Sequence, residues 1–295
     1  MTRLRPVTRA AALQERLDAL VETFDVSTIT PDPLELVLRY GDDRDREVVG
    51  LIAAAFAYGR ADIVVANVGG VLAKMGASPS RWLLEQTNDG RFDRRTSRTT
   101  FRGFTHRFHK VDDLVALLER IALALDRHGS LGEVFRLSYD PADGDIGPSL
   151  ARFVASVIDA PAAGKAPASL RYLLTSPVDG SACKRMNLFL RWMVRREAPD
   201  LGLWTFVDPA KLVVPLDTHV HRISTFLGLT KRKSADWKTA RALTDTLAKF
   251  NPGDPVRYDF AICRLGILDR CSRKRAFANC QVCLLRDVCR FPVKR

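Results

Sequence analysis

No apolar run in the chain approaches the roughly 18 residues that cross a bilayer, which excludes a transmembrane helix on sequence grounds. Sustained apolar alternation is also missing, and no Asn-Gly or Asp-Gly turn stands between β-branched runs, so no sheet-based fold is expected. Acids are scarce: 34 Asp and Glu face 46 Lys and Arg, a net charge of +12 over 295 residues. That imbalance selects a polyanionic partner, nucleic acid first and an acidic membrane second. The opening stretch, MTRLRPVTRAAALQERLDALVETF, carries acids within its periodicity. It predicts an amphipathic helix, not the apolar core of a signal peptide. The expectation is a cytoplasmic protein acting as a monomer.

Helical periodicity fills the space left by the missing strands. It predicts helices over residues 10–24, 32–40, 45–57, 61–75, 78–86, 112–126, 150–158, 169–174, 182–195, 217–227, 234–250 and 255–268. Two stretches, DPADGDIGPS (140–149) and DAPAAGKAPAS (159–169), are too rich in Pro, Gly and Ala for regular structure. The predicted fold class is all-α.

Basic side chains cluster twice. Arg91, Arg94, Arg95, Arg98, Arg102, Arg107 and Lys110 face one acid, Asp93, and Phe92, Phe101, Phe104 and Phe108 interleave with them. Guanidinium groups among aromatic rings suit phosphates and unstacked bases; the plainer alternative is a solvated face with its rings in the core. Residues 270–295 add eight basic side chains opposed only by Asp287.

Cysteine is sparse until the end, where Cys271, Cys280, Cys283 and Cys289 fall in a C-x8-C-x2-C-x5-C pattern. In a reducing compartment four thiols this close are expected to hold metal. Four sulfur ligands satisfy either Zn²⁺ or an iron–sulfur cluster. Zinc sites usually show two close pairs, whereas one pair flanked by wider gaps favours a [4Fe–4S] cluster. Cys183 and Cys263 read as buried apolar residues. His219 and His221 lie two apart on a helix and cannot share an ion. His106 and His109, three apart, lack a nearby Asp, Glu or Cys to complete a site. Trp192 and Trp204 read as core.

The cysteine tail resembles the iron–sulfur loop of endonuclease III-type DNA glycosylases, with a first gap two residues longer. Glycosylases of that helix-hairpin-helix superfamily carry a Lys-x-x-Asn pattern after the hairpin, and SPVDGSACKRMN supplies Lys184 and Asn187. They also carry an aspartate in a Val-Asp-Thr-His segment, and PLDTHV matches it at Asp217. The hairpin here has one glycine, Gly180, where two are usual. The 33-residue separation of Lys184 and Asp217 is similar to that of archaeal 8-oxoguanine glycosylases. The N-terminal half resembles an uncharacterised bacterial family that shares this C-terminal signature.

The resemblance implies a two-lobed fold: a helical barrel over 46–189 ending in the hairpin, and a second lobe of 1–45 plus 190–295 around the cluster. It implies a DNA repair glycosylase with AP-lyase activity on double-stranded DNA carrying a damaged base, an oxidised purine such as 8-oxoguanine, or an abasic site. Lys184 is then the nucleophile and Asp217 the carboxylate that stabilises the sugar cation. Gly180, Ser181, Arg185, Asn187, Arg273, Lys274 and Arg275 are the implied DNA contacts. The chemistry is coherent. A lysine in a partly dry pocket can shed a proton and attack a sugar carbon, and a carboxylate at a helix N-terminus is favoured in its ionised form. The plainer alternatives are a solvated lysine and an ordinary helix cap. Two non-enzymatic alternatives stand beside it: an iron–sulfur protein that binds DNA structures on a glycosylase scaffold, and a zinc-stabilised RNA-binding module.

Overall fold

The computed structural model describes residues 8–160, 163–268, 270–271 and 277–291. It is mostly helical. The helices are α1 (Arg9–Thr23), α2 (Leu34–Val37), α3 (Asp43–Ala55), α4 (Ala61–Met75), α5 (Pro79–Glu85), α6 (Arg94–Thr100), α7 (Val111–His128) and α8 (Leu131–Ser138). They continue as α9 (Gly147–Ile158), α10 (Ala168–Leu173), α11 (Lys184–Val194), α12 (Thr218–Leu227), α13 (Trp237–Leu247), α14 (Asp259–Ile267) and α15 (Phe277–Gln281). No helix among the described residues is long and apolar enough to cross a membrane.

α3 is the central element, and from Glu47 to Ala55 every residue is buried. Asp42 starts it, its carboxylate accepting from the Arg44 and Asp45 amides and satisfying donors the first turn leaves unpaired. α11 packs along it at Gly50, where a Cβ would lie 3.0 Å from Met193 Cε and 3.3 Å from the Phe189 ring. That small residue therefore sets how closely the two helices approach. Around them Phe135, Phe153, Phe189 and Trp204 form an aromatic core, and the Trp204 indole donates to Glu47 Oε1 at 2.7 Å. The buried apolar side chains connect from Leu13 to Val288. The expected lobe boundaries, 46 and 189, fall inside α3 and α11.

α1 lies against the C-terminal part of the chain. Arg9 donates to Leu227 O and Val288 O, Gln14 to Phe250 O, and Tyr258 to Asp18 Oδ1.

Periodicity locates most helices within a few residues, and 61–75 coincides with α4. It misses α6, α8 and α15. RRTSRTT has no apolar stripe; Asp93 caps it, and Ser97, Thr99 and Thr100 donate back to the carbonyls four residues earlier. α8 is short and glycine-containing, and its Ser130–Glu133 capping signature precedes only eight residues.

Two hairpins, β1 (Thr87–Asn88) with β2 (Arg91–Phe92) and β3 (Thr105–His106) with β4 (His109–Lys110), also depart from the strand-free expectation. The first turns at Asp89-Gly90, both with positive φ, the geometry of a tight hairpin turn; its flanks are too short to show alternation. The basic stretch thus presents Arg91, Arg94, Arg95, Arg98, Arg102, Arg107 and Lys110 to solvent. Phe92 and Phe101 enter the core, while Phe108 is exposed.

His106 and His109 face each other across the second hairpin and are buried. His106 Nε2 lies 3.0 Å from Tyr58 O, and His109 Nδ1 lies 2.5 Å from the Tyr58 hydroxyl. Burial first, and then neighbouring positive charge, holds both imidazoles below their ordinary value of 6.5. A depressed histidine pKa contributes stability that is complete above the ordinary value and lost as pH falls through the depressed one. The protection factors of amides 105–110, measured relative to the intrinsic exchange rate at each pH, are accordingly expected to fall when pH is lowered from about 7.5 to about 5, while those of α3 change less. Equal protection at both pH values contradicts this account of the pair.

Candidate functional site

α10, a turn at Pro177–Asp179 and α11 form the helix–turn–helix that delivers Lys184. The turn uses two left-handed residues, Gly180 (φ 72°) and Cys183 (φ 48°). The second left-handed position, which the sequence reading could not see, is thus filled by a buried cysteine that bears the steric cost a glycine would avoid. Lys184 is the first residue of α11, and its Nζ donates to Ala57 O at 3.1 Å. Arg185 follows, donating to Ala55 O at 3.1 Å and to Tyr172 O. The two cations hold the C-terminal end of α3, where carbonyls lack helical partners and cations are favoured.

Asp217 caps α12. Its Oδ1 accepts from Val220 N at 2.7 Å, and its Oδ2 accepts from the Cys263 thiol at 3.4 Å. Lys184 and Asp217 line one cleft of about 600 Å³, a volume suited to a small ligand. The cleft also takes Asp32 from the segment before α2, Arg191 from α11, and Asp259 and Cys263 from α14. Apolar wall comes from Leu188 and Phe260, and Arg60 and Asp62 pair with each other at 2.7 Å.

Arg191 sits at the bottom, 3.1 Å from Asp200 and 2.5 Å from Asp259. Arg195 extends the network to Asp200 at 2.6 Å and Asp254 at 2.9 Å. Burial opposes the Arg191 charge, but the carboxylates of Asp200, Asp259 and Asp32 outweigh it and keep the guanidinium ionised. Burial also pushes the Cys263 thiol well up, as do the Asp217 and Asp259 carboxylates, so it stays a proton donor toward Asp217. It faces the cleft; the expectation of a purely apolar role for Cys263 does not hold.

Other expected site residues fall differently. Gly180 is exposed and Ser181 half-buried, the latter bridging backbone with Asp236. Arg185 and Asn187 are buried, with Arg185 over the Tyr58 and Tyr172 rings and Asn187 donating to Ala182 O. These two are corrected from surface DNA contacts to supports of the turn, because their donors are spent on backbone inside the protein. Arg273, Lys274 and Arg275 lie outside the described residues. His219 lines the cleft and packs against Gly266, where a Cβ would come within 2.5 Å of its ring. His221 bonds the Arg232 carbonyl.

Cys271, Cys280, Cys283 and Cys289 are each half-buried. Cys271 O accepts from Arg222, and Cys289 Sγ faces Phe226 O. Burial first, then the other three thiols, raises Cys271 against the pull of Arg222. Cys283 is likewise raised by burial and by Cys289 and Cys280. Among the described residues no group of three or more His, Cys, Asp or Glu is drawn together closely enough to hold an ion.

Sequence reasoning missed Asp32, Arg191 and Asp259. The signal was available in spacing: Lys184, Leu188 and Arg191 share one face of α11, and Asp259, Cys263 and Ile267 share one face of α14. A mostly helical frame enclosing a charged cleft is what fold and site define together. Over residues 32–268 the chain matches the family DUF2400, described as a protein of unknown function, and it belongs to that family. It matches no curated protein and no solved structure.

Replacing Arg191 by Met leaves Asp259 buried without its cation and Asp200 with Arg195 alone. Loss of about 3–5 kcal/mol of stability is expected in a denaturant titration; a change under about 1 kcal/mol contradicts the role given to this network.

Proposed function

We propose that this chain is a DNA glycosylase with AP-lyase activity, built on the two-lobed helix-hairpin-helix frame and holding a C-terminal [4Fe–4S] cluster. The observation that carries the reading is that Lys184 and Asp217, 33 positions apart in sequence, line the same cleft. The exposed cations between Arg91 and Lys110 support a DNA partner: Arg94 and Arg98 pair with Glu119 and Asp112. The other five have no acidic partner among the described residues, leaving charge to neutralise phosphates.

A nucleotide extruded from the duplex, at a cost of a few kcal/mol, enters the cleft base first and brings its sugar to Lys184 and Asp217. The Asp217 carboxylate stabilises positive charge growing on the sugar ring as the base departs. Its orientation is fixed, because Oδ1 is held by the Val220 amide and Oδ2 by the Cys263 thiol. The Lys184 amine, aligned by Ala57 O, attacks the anomeric carbon and forms a Schiff base. Elimination then breaks the strand. An oxidised purine in double-stranded DNA is the substrate class that the archaeal resemblance favours.

Cys271, Cys280, Cys283 and Cys289 would hold the cluster. Four partly buried thiols in the C-terminal segment supply its donor set, and its role there would be structural, clamping the tail near α1 and α12. Lys184 binding Ala57 O also suits the rival, a non-catalytic iron–sulfur protein that binds DNA structures, since the lysine then only ties two helices.

Lys184→Gln is expected to abolish strand cleavage at an abasic site while duplex affinity changes little. Asp217→Asn is expected to slow base release by on the order of a hundred- to a thousandfold. Retained binding with no base release and no cleavage by the unaltered protein favours the rival. The protein is expected to be brown and to bleach on Cys283→Ala; a colourless protein containing zinc overturns the cluster.

A further inference from the structure

We propose that Asp32 is the proton acceptor for the Lys184 amine. The inference rests on the Schiff-base reading of the cleft and adds the group that readies its nucleophile.

Lysine attacks only as the free amine, so an ammonium must first pass a proton to a base within reach. Four carboxylates line the cleft. Asp62 is engaged by Arg60. Asp217 has both oxygens occupied, one by a backbone amide and one by the Cys263 thiol. Asp259 gives one oxygen to Arg191, and its other is buried and accepts no hydrogen bond among the described residues. Asp32 has no ion pair among the described residues. Its Oδ1 accepts from Leu34 N at 2.9 Å, and Oδ2 accepts no hydrogen bond from the described residues.

The segment around Asp32 is built to hold that carboxylate still. Prolines flank it at positions 31 and 33, each fixing its own φ. The Arg264 guanidinium, fully buried, donates to Thr28 O, Thr30 O and Pro31 O. An arginine spent on three loop carbonyls, next to a nearly buried carboxylate with an unbonded oxygen, is costly unless the carboxylate has work to do. Lys184 and Arg191 from α11, Arg264, Asp259 and Cys263 from α14, and Asp217 from α12 are the charged and titratable groups around it. Burial raises Asp32 above the ordinary carboxylate value, while the Leu34 amide and the three cations oppose it; the direction suits a proton acceptor.

The step balances. One proton passes from Lys184 Nζ to Asp32 Oδ2, and the freed lone pair forms the bond to the anomeric carbon. The bond from that carbon to the base breaks, its electron pair leaving with the base, which takes the proton back from Asp32. Ring opening moves a second proton from nitrogen to the ring oxygen, leaving the iminium on Lys184.

Single-turnover borohydride trapping on a duplex with one abasic site, followed against pH, tests this. At neutral pH Asp32→Asn, which keeps an oxygen for the Leu34 amide, is expected to trap on the order of a hundredfold more slowly. The deficit should shrink as pH rises and hydroxide takes over the deprotonation; duplex affinity should hold. Asp32→Ser, which also retains an oxygen near that amide, should behave alike, and melting curves confine the comparison to folded protein. The unaltered protein should itself trap more slowly as pH falls through the raised Asp32 range. Trapping by folded Asp32 variants at the unaltered rate across pH overturns this inference alone. No adduct with the unaltered protein overturns both it and the Schiff-base reading.

Discussion

Arg191 is buried between Asp200 and Asp259, and this ion triple joins the helix that carries Lys184 to the helix that carries Cys263. Charges so deep are tolerated only when each has its counter-charge in place, so the two helices cannot slide independently. The cleft is the gap this constraint leaves. Its polar contents follow: Cys263 orients Asp217 from α14, and Arg264, one residue on, fixes the loop bearing Asp32. One helix of nine residues thus organises three sides of the site through consecutive or face-sharing positions.

A second constraint acts at the other end of Lys184. Its amine and the Arg185 guanidinium close the end of α3, which runs through the core. The turn before α11 must therefore stop at a fixed place, and the left-handed Cys183 is how the chain makes that stop without a second glycine. Strain of this kind persists where surrounding packing over-determines the backbone, and Cys183 is buried.

Helical periodicity was enough to read the helices with an apolar stripe, α4 most closely, because burial of one face leaves its mark every three to four residues. Helix α6 carries no such stripe and depends on hydroxyls bonding back along its own turn, which composition hides. Lys184 and Asp217 were legible through the resemblance and local helix starts. Asp32 was not: between two prolines it reads as the start of a helix, and its role needs Arg264, 232 positions later, to become visible. Arg185 and Asn187 were misread because neither local motif nor charge reports that their donors turn inward onto Tyr172 and Ala182 carbonyls.

The central claim is that one amine and one carboxylate meet at one deoxyribose. Peptide mapping of the borohydride-reduced adduct with abasic DNA tests it most directly. The account predicts the DNA remnant on Lys184, with its yield falling when Asp217 is replaced by Asn. An adduct on any other residue, or an Asp217→Asn protein that traps as readily as the unaltered chain, contradicts it.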